Sequence, residues 1–186
     1  MSKITLITGG ARSGKSSFGE KLAMLKKERV AYIATAIPFD DEMKSRIQYH
    51  RLQRPQSWHT FEVYRDLDSV IRDYDDDHFD IILLDCVTIM ITNLMLEKDC
   101  DWDHLGQDEI LELETMIRIE FNKLILYIKK TSLHLIIVTN ELGMGLVPEY
   151  PLGRIFRDIA GRINQMLAEA SDEAYFIVSG IPLQIK

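Results

Sequence analysis

The chain has 186 residues, a formal net charge of −7, and a composition that is 46% hydrophobic and 27% charged. That length suits one α/β domain spanning residues 1–186, with a substantial core. The excess of acid over base argues against a general nucleic-acid or membrane-surface binder, because both need surplus Lys and Arg. Cys86 and Cys100 lack metal-ligand spacing, and no apolar run approaches the roughly 18 residues of a membrane span, so a cytoplasmic protein is expected.

In chain order, the apolar run Ile4–Thr8 reads as a strand leading into Gly9-Gly10-Ala11-Arg12-Ser13-Gly14-Lys15-Ser16, with a helix expected from Ser17 to about Lys27. Val30–Ala34 reads as the next strand. A helix is expected from Asp41 to about Gln53, stopped by Pro55. Asp75-Asp76-Asp77 reads as a solvated turn before a strand at Ile81–Asp85. Ile110, Leu113, Ile117, Phe121, Leu124 and Ile128 recur at spacings of three and four, the stripe of an amphipathic helix. Leu135–Thr139 is a strand, followed by the loop Asn140–Glu149. Ile155, Ile159, Ile163 and Leu167 mark another helix, and Tyr175–Ser179 another strand. A turn at Gly180 then leads to a final, antiparallel segment. Short apolar runs alternating with helices predict a mostly parallel sheet with helices on both faces.

Gly9-x-x-x-x-Gly14-Lys15-Ser16 lies between a strand and a helix, the setting in which this pattern cradles phosphates. Glycines allow successive backbone N–H groups to turn inward, and the helix start adds its positive end. Lys15 is expected to bridge the β- and γ-phosphates and the Ser16 hydroxyl to ligate Mg²⁺. Asp85, closing an apolar strand, is the candidate for the magnesium shell; the alternative is a cap for a helix starting near Val87. The glycine-bearing loop Asn140–Glu149 follows a strand, where ligands border an open α/β sheet, or else it is a connector held by Pro148. Arg154, Asp158 and Arg162 stand four apart and either pair along their helix or face a substrate. His50 lies among Arg46, Arg51 and Arg54, cations suited to a polyphosphate, and could act as a nucleophile or pack over Ile47 and Met43. His59, His78, His104 and His134 read as structural or exposed.

Taken together, GGARSGKSSFGEKLA, YIATA, DDEMKSRIQYHRLQRP, TNELGMGLVPEYPLGRIFRDIAGRINQMLA and VSGIPLQIK resemble the bifunctional adenosylcobinamide kinase/adenosylcobinamide-phosphate guanylyltransferase family, from Ile4 to Lys186. The resemblance implies a RecA-like P-loop NTPase fold. It also implies phosphorylation of adenosylcobinamide with ATP or GTP, then transfer of GMP from GTP to the phosphate. His50 matches the residue that carries GMP in that family, while phosphoryl-transfer chemistry gives Lys15 the neutralising role in the kinase step. Nucleotide contacts are implied at Gly9 through Ser16, at Ala34, Thr35 and Ala36, at Arg51, Leu52, Gln53 and Arg54, at Glu62 and at Asp85. Some relatives carry Glu at the Asp85 position and some a second His where Tyr49 stands here. A homotrimer is implied too. A small-molecule kinase without nucleotidyl transfer and a nucleotide-switched interaction module are the competing readings.

Overall fold

The computed structural model describes residues 2–25, 29–37, 55–75 and 79–186. Their strands are β1 (Lys3–Gly9), β2 (Val30–Ala34), β3 (His59–Glu62), β4 (Ile81–Asp85), β5 (His134–Val138), β6 (Glu173–Val178) and β7 (Ile181–Gln184). The described helices are α1 (Lys15–Leu25), α2 (Leu67–Asp75), α3 (Val87–Leu96), α4 (Gln107–Ile128) and α5 (Pro151–Ala170). The helix expected from Asp41 to Gln53 lies outside the described residues.

The strands form one seven-stranded sheet in the order β3-β2-β4-β5-β1-β6-β7. Every pairing is parallel except β6 with β7, so the expected antiparallel ending is present. The strands β2 and β5 are buried at every residue, because helices cover both faces. Alternate side chains divide the core. Ile7, Tyr32, Leu83, Ile136 and Ile177 pack toward α1 with Phe18, and Ile33, Ile82, Leu84, Leu135 and Ile137 join α2 to α5 on the other face.

Local sequence explains most of these elements. In α4 the expected stripe is buried at Leu113, Ile117, Phe121, Leu124 and Ile128, and Glu109 reaches back to the Gly106 N–H at 3.0 Å, closing the first turn. Helix α5 is capped at Tyr150 and begins at Pro151, four residues before the expected stripe. Its last carbonyls receive the Lys186 ammonium, which donates to Ala168 O at 2.9 Å and Ser171 O at 2.6 Å. Arg154, Asp158 and Arg162 do not pair with one another along this helix. Arg162 grips Glu114 of α4 at 2.9 Å through Nε, Arg154 donates to Pro148 O at 3.1 Å, and Asp158 faces Arg157.

Candidate functional site

The register aligns the C-terminal ends of the strands. Ala34 of β2 is paired with both Asp85 of β4 and Glu62 of β3, and Asp85 with Val138 of β5. Three sequence-predicted positions from different segments thus form one row across the sheet edge, with neighbouring strands about 4.8 Å apart. β5 separates β4 from β1, which delivers the glycine loop to the same edge.

The loop is held from behind by the β6–β7 hairpin. The Gly180 N–H donates to Ser13 O at 2.8 Å, and a side chain on Gly9 would come within 2.5 Å of Ile177 O. Gly14 has φ of 97°, and a side chain there would meet Gly180 Cα at 3.3 Å. Two of the pattern's glycines are therefore fixed by the hairpin pressing on the loop. Gly10, Ala11 and Arg12 are exposed on its outer side, Arg12 at φ of 56°. The Phe18 N–H to Gly14 O bond, at 3.0 Å, starts α1.

Lys15 is buried, and its ammonium donates to Gly10 O at 2.6 Å, across the mouth of the loop. Burial pulls its pKa below the ordinary lysine value, while Cys86 and Asp85 pull it back up, so the Asp85 side chain lies within electrostatic reach of the cradle. The Ser16 hydroxyl follows one residue later in the first turn of α1 and is half-buried. Asp85 is not a helix cap: α3 is capped at Cys86, and Asp85 Oδ2 accepts the Tyr32 hydroxyl at 2.6 Å. Burial holds the Cys86 thiol above its ordinary pKa, which makes it a poor nucleophile. A hydroxyl and a carboxylate, both hard oxygen donors beside a phosphate cradle, fit a magnesium ion.

Thr35 locks the β2 exit to the β4 exit. Its hydroxyl accepts the Cys86 N–H at 2.9 Å and donates to Cys86 O at 2.8 Å, while Asn93 of α3 donates to Thr35 O at 2.7 Å. The Asn140–Glu149 loop is tied in similarly. Glu141 N–H donates to Gly9 O at 2.9 Å, Asn140 donates to the Thr88 hydroxyl at 2.6 Å, and Asn164 of α5 donates to Asn140 O at 3.0 Å. Beyond these anchors, Met144 and Leu146 are exposed. An apolar cleft of about 440 Å³ opens beside the loop, lined by Met95, Leu96, Pro148, Tyr150, Leu152 and Phe156 among others.

The remaining predicted residues divide cleanly. Gly9 through Ser16, Ala34 through Ala36, Asp85 and Glu62 share the sheet edge, with Glu62 exposed at its far end. His50, Arg51, Leu52, Gln53 and Arg54 lie outside the described residues. His59 packs against Tyr74, ring centroids 4.2 Å apart, and His134 is buried with Nε2 2.8 Å from the Thr5 hydroxyl. His104 is exposed beside Asp101, and His78 lies outside the described residues. Sequence reasoning missed Tyr32, Thr88, Asn93 and Asn164, whose partners are 24 to 58 residues away. Their signal was a run of polar or hydroxylated side chains inside otherwise apolar segments.

A strand-to-helix phosphate loop with a buried lysine, and a carboxylate across the sheet edge, define a P-loop nucleoside triphosphate-binding protein. The crystal structure of the RadB recombinase has the same fold, with a TM-score of 0.51 at 13% identity over 94% of this chain and 73% of that one. The sequence matches the family described as cobinamide kinase / cobinamide phosphate guanyltransferase over residues 5–185. It is 45% identical to the bifunctional adenosylcobalamin biosynthesis protein CobU of Escherichia coli (strain K12), over 97% of this chain and 98% of that protein. Identity is 46% to the CobU protein of Salmonella typhimurium, again over 97% and 98%. The corresponding CobP protein of Pseudomonas aeruginosa is 37% identical over 97% of this chain and 96% of its own length. The chain belongs to the cobinamide kinase / cobinamide phosphate guanyltransferase family.

Proposed function

We propose that this chain phosphorylates adenosylcobinamide with ATP or GTP, and then transfers GMP from GTP to adenosylcobinamide phosphate through a covalent GMP on His50. The observation that carries the reading is the cradle itself: a buried Lys15 at the mouth of a backed glycine loop, with Asp85 within electrostatic reach of it, in a chain of this family.

In the kinase step the loop amides hold the β- and γ-phosphates, and Lys15 leaves Gly10 O to neutralise charge on the transferring group. The cobinamide hydroxyl gives up its proton to solvent as its oxygen forms a bond to the γ-phosphorus, the bond to the β-oxygen breaks, and the nucleoside diphosphate departs. Ser16 and Asp85 would hold Mg²⁺, which supplies Lewis-acid neutralisation of phosphate oxygens when bound. In the transfer step an imidazole nitrogen of His50 attacks the α-phosphorus of GTP, and pyrophosphate leaves. An oxygen of cobinamide phosphate then attacks that same phosphorus, the phosphorus–nitrogen bond breaks, and a phosphoanhydride forms. Arg51, Leu52, Gln53, Arg54, Glu62 and the Ala34–Ala36 segment would hold the guanylyl donor. The apolar cleft beside the Asn140–Glu149 loop supports seating the corrinoid on that flank. A homotrimer in the cytoplasm, without nucleic acid as a partner, completes the reading.

Incubation with GTP, Mg²⁺ and adenosylcobinamide, with mass analysis of the corrinoid, should give adenosylcobinamide-GDP. GTP labelled at the α-phosphorus should leave acid-labile, alkali-stable label on the protein, and His50→Ala should remove it while keeping most kinase turnover. Product formed without label on the wild-type protein would mean direct transfer. Phosphorylation without any GMP transfer would reduce the activity to a kinase.

A further inference from the structure

Tyr32 stands in the middle of β2 at 2% exposure, its ring stacked on Trp58 with centroids 6.3 Å apart and planes 25° apart. Its register partner on β4 is Leu83, and Asp85 lies two residues further on, on the same face of the sheet. The phenol spans that offset and places its hydroxyl 2.6 Å from Asp85 Oδ2. The ring, fixed between the core and Trp58, therefore gives Asp85 a rigid hydrogen-bond donor from a neighbouring strand. The other strand neighbour of Asp85 is Val138, which has no donor to offer from its side chain. A carboxylate at the end of a strand, with free rotation about its side-chain bonds, would otherwise sample several orientations toward the cradle.

We propose that Tyr32 is the positioning residue for the magnesium site: its hydroxyl occupies Oδ2 of Asp85, fixes the plane of the carboxylate and leaves Oδ1 for the metal or a metal-bound water. This rests on reading Asp85 as part of the metal shell. The physical logic is that of an outer partner orienting a ligand. Such partners act through ligand geometry and basicity without touching the metal, and their loss typically weakens metal binding about 10–100-fold.

The test uses Mn²⁺ as a spectroscopically visible substitute, its binding to the full chain with saturating GDP followed by electron paramagnetic resonance. Tyr32→Phe keeps the ring and its stack on Trp58 and removes only the hydroxyl. Mn²⁺ affinity should fall about tenfold, while metal-free GDP affinity stays within about twofold of wild type. Unchanged Mn²⁺ affinity, or an equal loss of metal-free GDP affinity, overturns the proposal. Asp85→Asn tests the underlying reading separately, because it should lose Mn²⁺ affinity on its own. In that background Tyr32→Phe should add little further loss, whereas fully additive losses would mean the two residues act independently and would overturn the proposal. Trp58→Phe, which loosens the stack and keeps the hydroxyl, should lose much less Mn²⁺ affinity than Tyr32→Phe. A loss there equal to that of Tyr32→Phe would assign the effect to packing and also overturn it.

Discussion

Lys15 sits under opposed forces, since burial favours its neutral form and the adjacent acidic charge favours the cation. A bound triphosphate would settle that conflict in favour of the charge. Lys15→Ala should therefore cost on the order of 10²–10³-fold in kinase turnover, measured as cobinamide phosphate formed from ATP, with near-normal turnover in a folded variant contradicting the cradle assignment. Asp80 illustrates a purely structural charge. It accepts Arg29 Nε at 3.0 Å and the Arg29 N–H at 3.0 Å, and these bonds hold its carboxyl below the ordinary carboxylate pKa. A depressed folded pKa stabilises the fold above the unfolded pKa, and that contribution disappears as pH falls through the folded value. Because both side chains are substantially exposed, the expected size is only about 0.5–1 kcal/mol. Asp80→Asn should lower Tm at pH 7, and that difference should shrink as pH is lowered through and below the ordinary carboxylate range, a comparison made by thermal melts across a pH series. At this scale the phosphate loop was fully legible, because its residues are contiguous. Tyr32 was not, because nothing local distinguishes a strand tyrosine that reaches a carboxylate from one that fills the core.

The β6–β7 hairpin and α3 show what elements add to residues. The hairpin is the rear wall of the phosphate loop, so substitutions in the loop should report on strand packing as well as on ligand binding. Gly9→Ala places its new methyl 2.5 Å from Ile177 O, where backbone has to move, and should cost about 1–3 kcal/mol in chemical denaturation besides weakening GTP binding. Gly180→Ala meets no atom within 4 Å but keeps φ of 81°, and should cost about 1 kcal/mol. Equal costs for the two variants would mean that the close approach to Ile177 is relieved by relaxation. The parallel strands were legible as apolar runs because they are buried on both faces. Helix α3 surfaced only as the alternative reading of a helix starting near Val87, since Val87-Thr88-Ile89-Met90-Ile91 carries no helical periodicity when almost every side is buried, and its β-branched residues read equally as strand. Strand β3, His59–Glu62, was missed for the opposite reason: it is a short edge strand, half-buried and polar.

Across the whole molecule, the sheet order sets long-range requirements that no local pattern reveals. The row formed by Glu62, Ala34 and Asp85 exists only because β2 lies between β3 and β4, and the loop reaches that edge only because β5 intervenes between β4 and β1. Alternating strands and helices announced a parallel sheet, but they did not announce the neighbour of each strand. The position of β1 has a consequence for how the chain is made. Among the described strands it pairs with β5 and β6, which begin at residues 134 and 173, so β1 waits for partners synthesised much later. At about 5–20 residues per second that interval is on the order of 10 s, with the apolar run Ile4–Ile7 unpaired throughout. A chain ending at Ser171 would have β1 open along one side and the phosphate loop without its wall, and it should fail to retain GTP in a filter-binding assay. Nucleotide binding would then wait for synthesis of the β6–β7 segment, and a chain stalled before it would present a sticky strand edge instead of a functional loop.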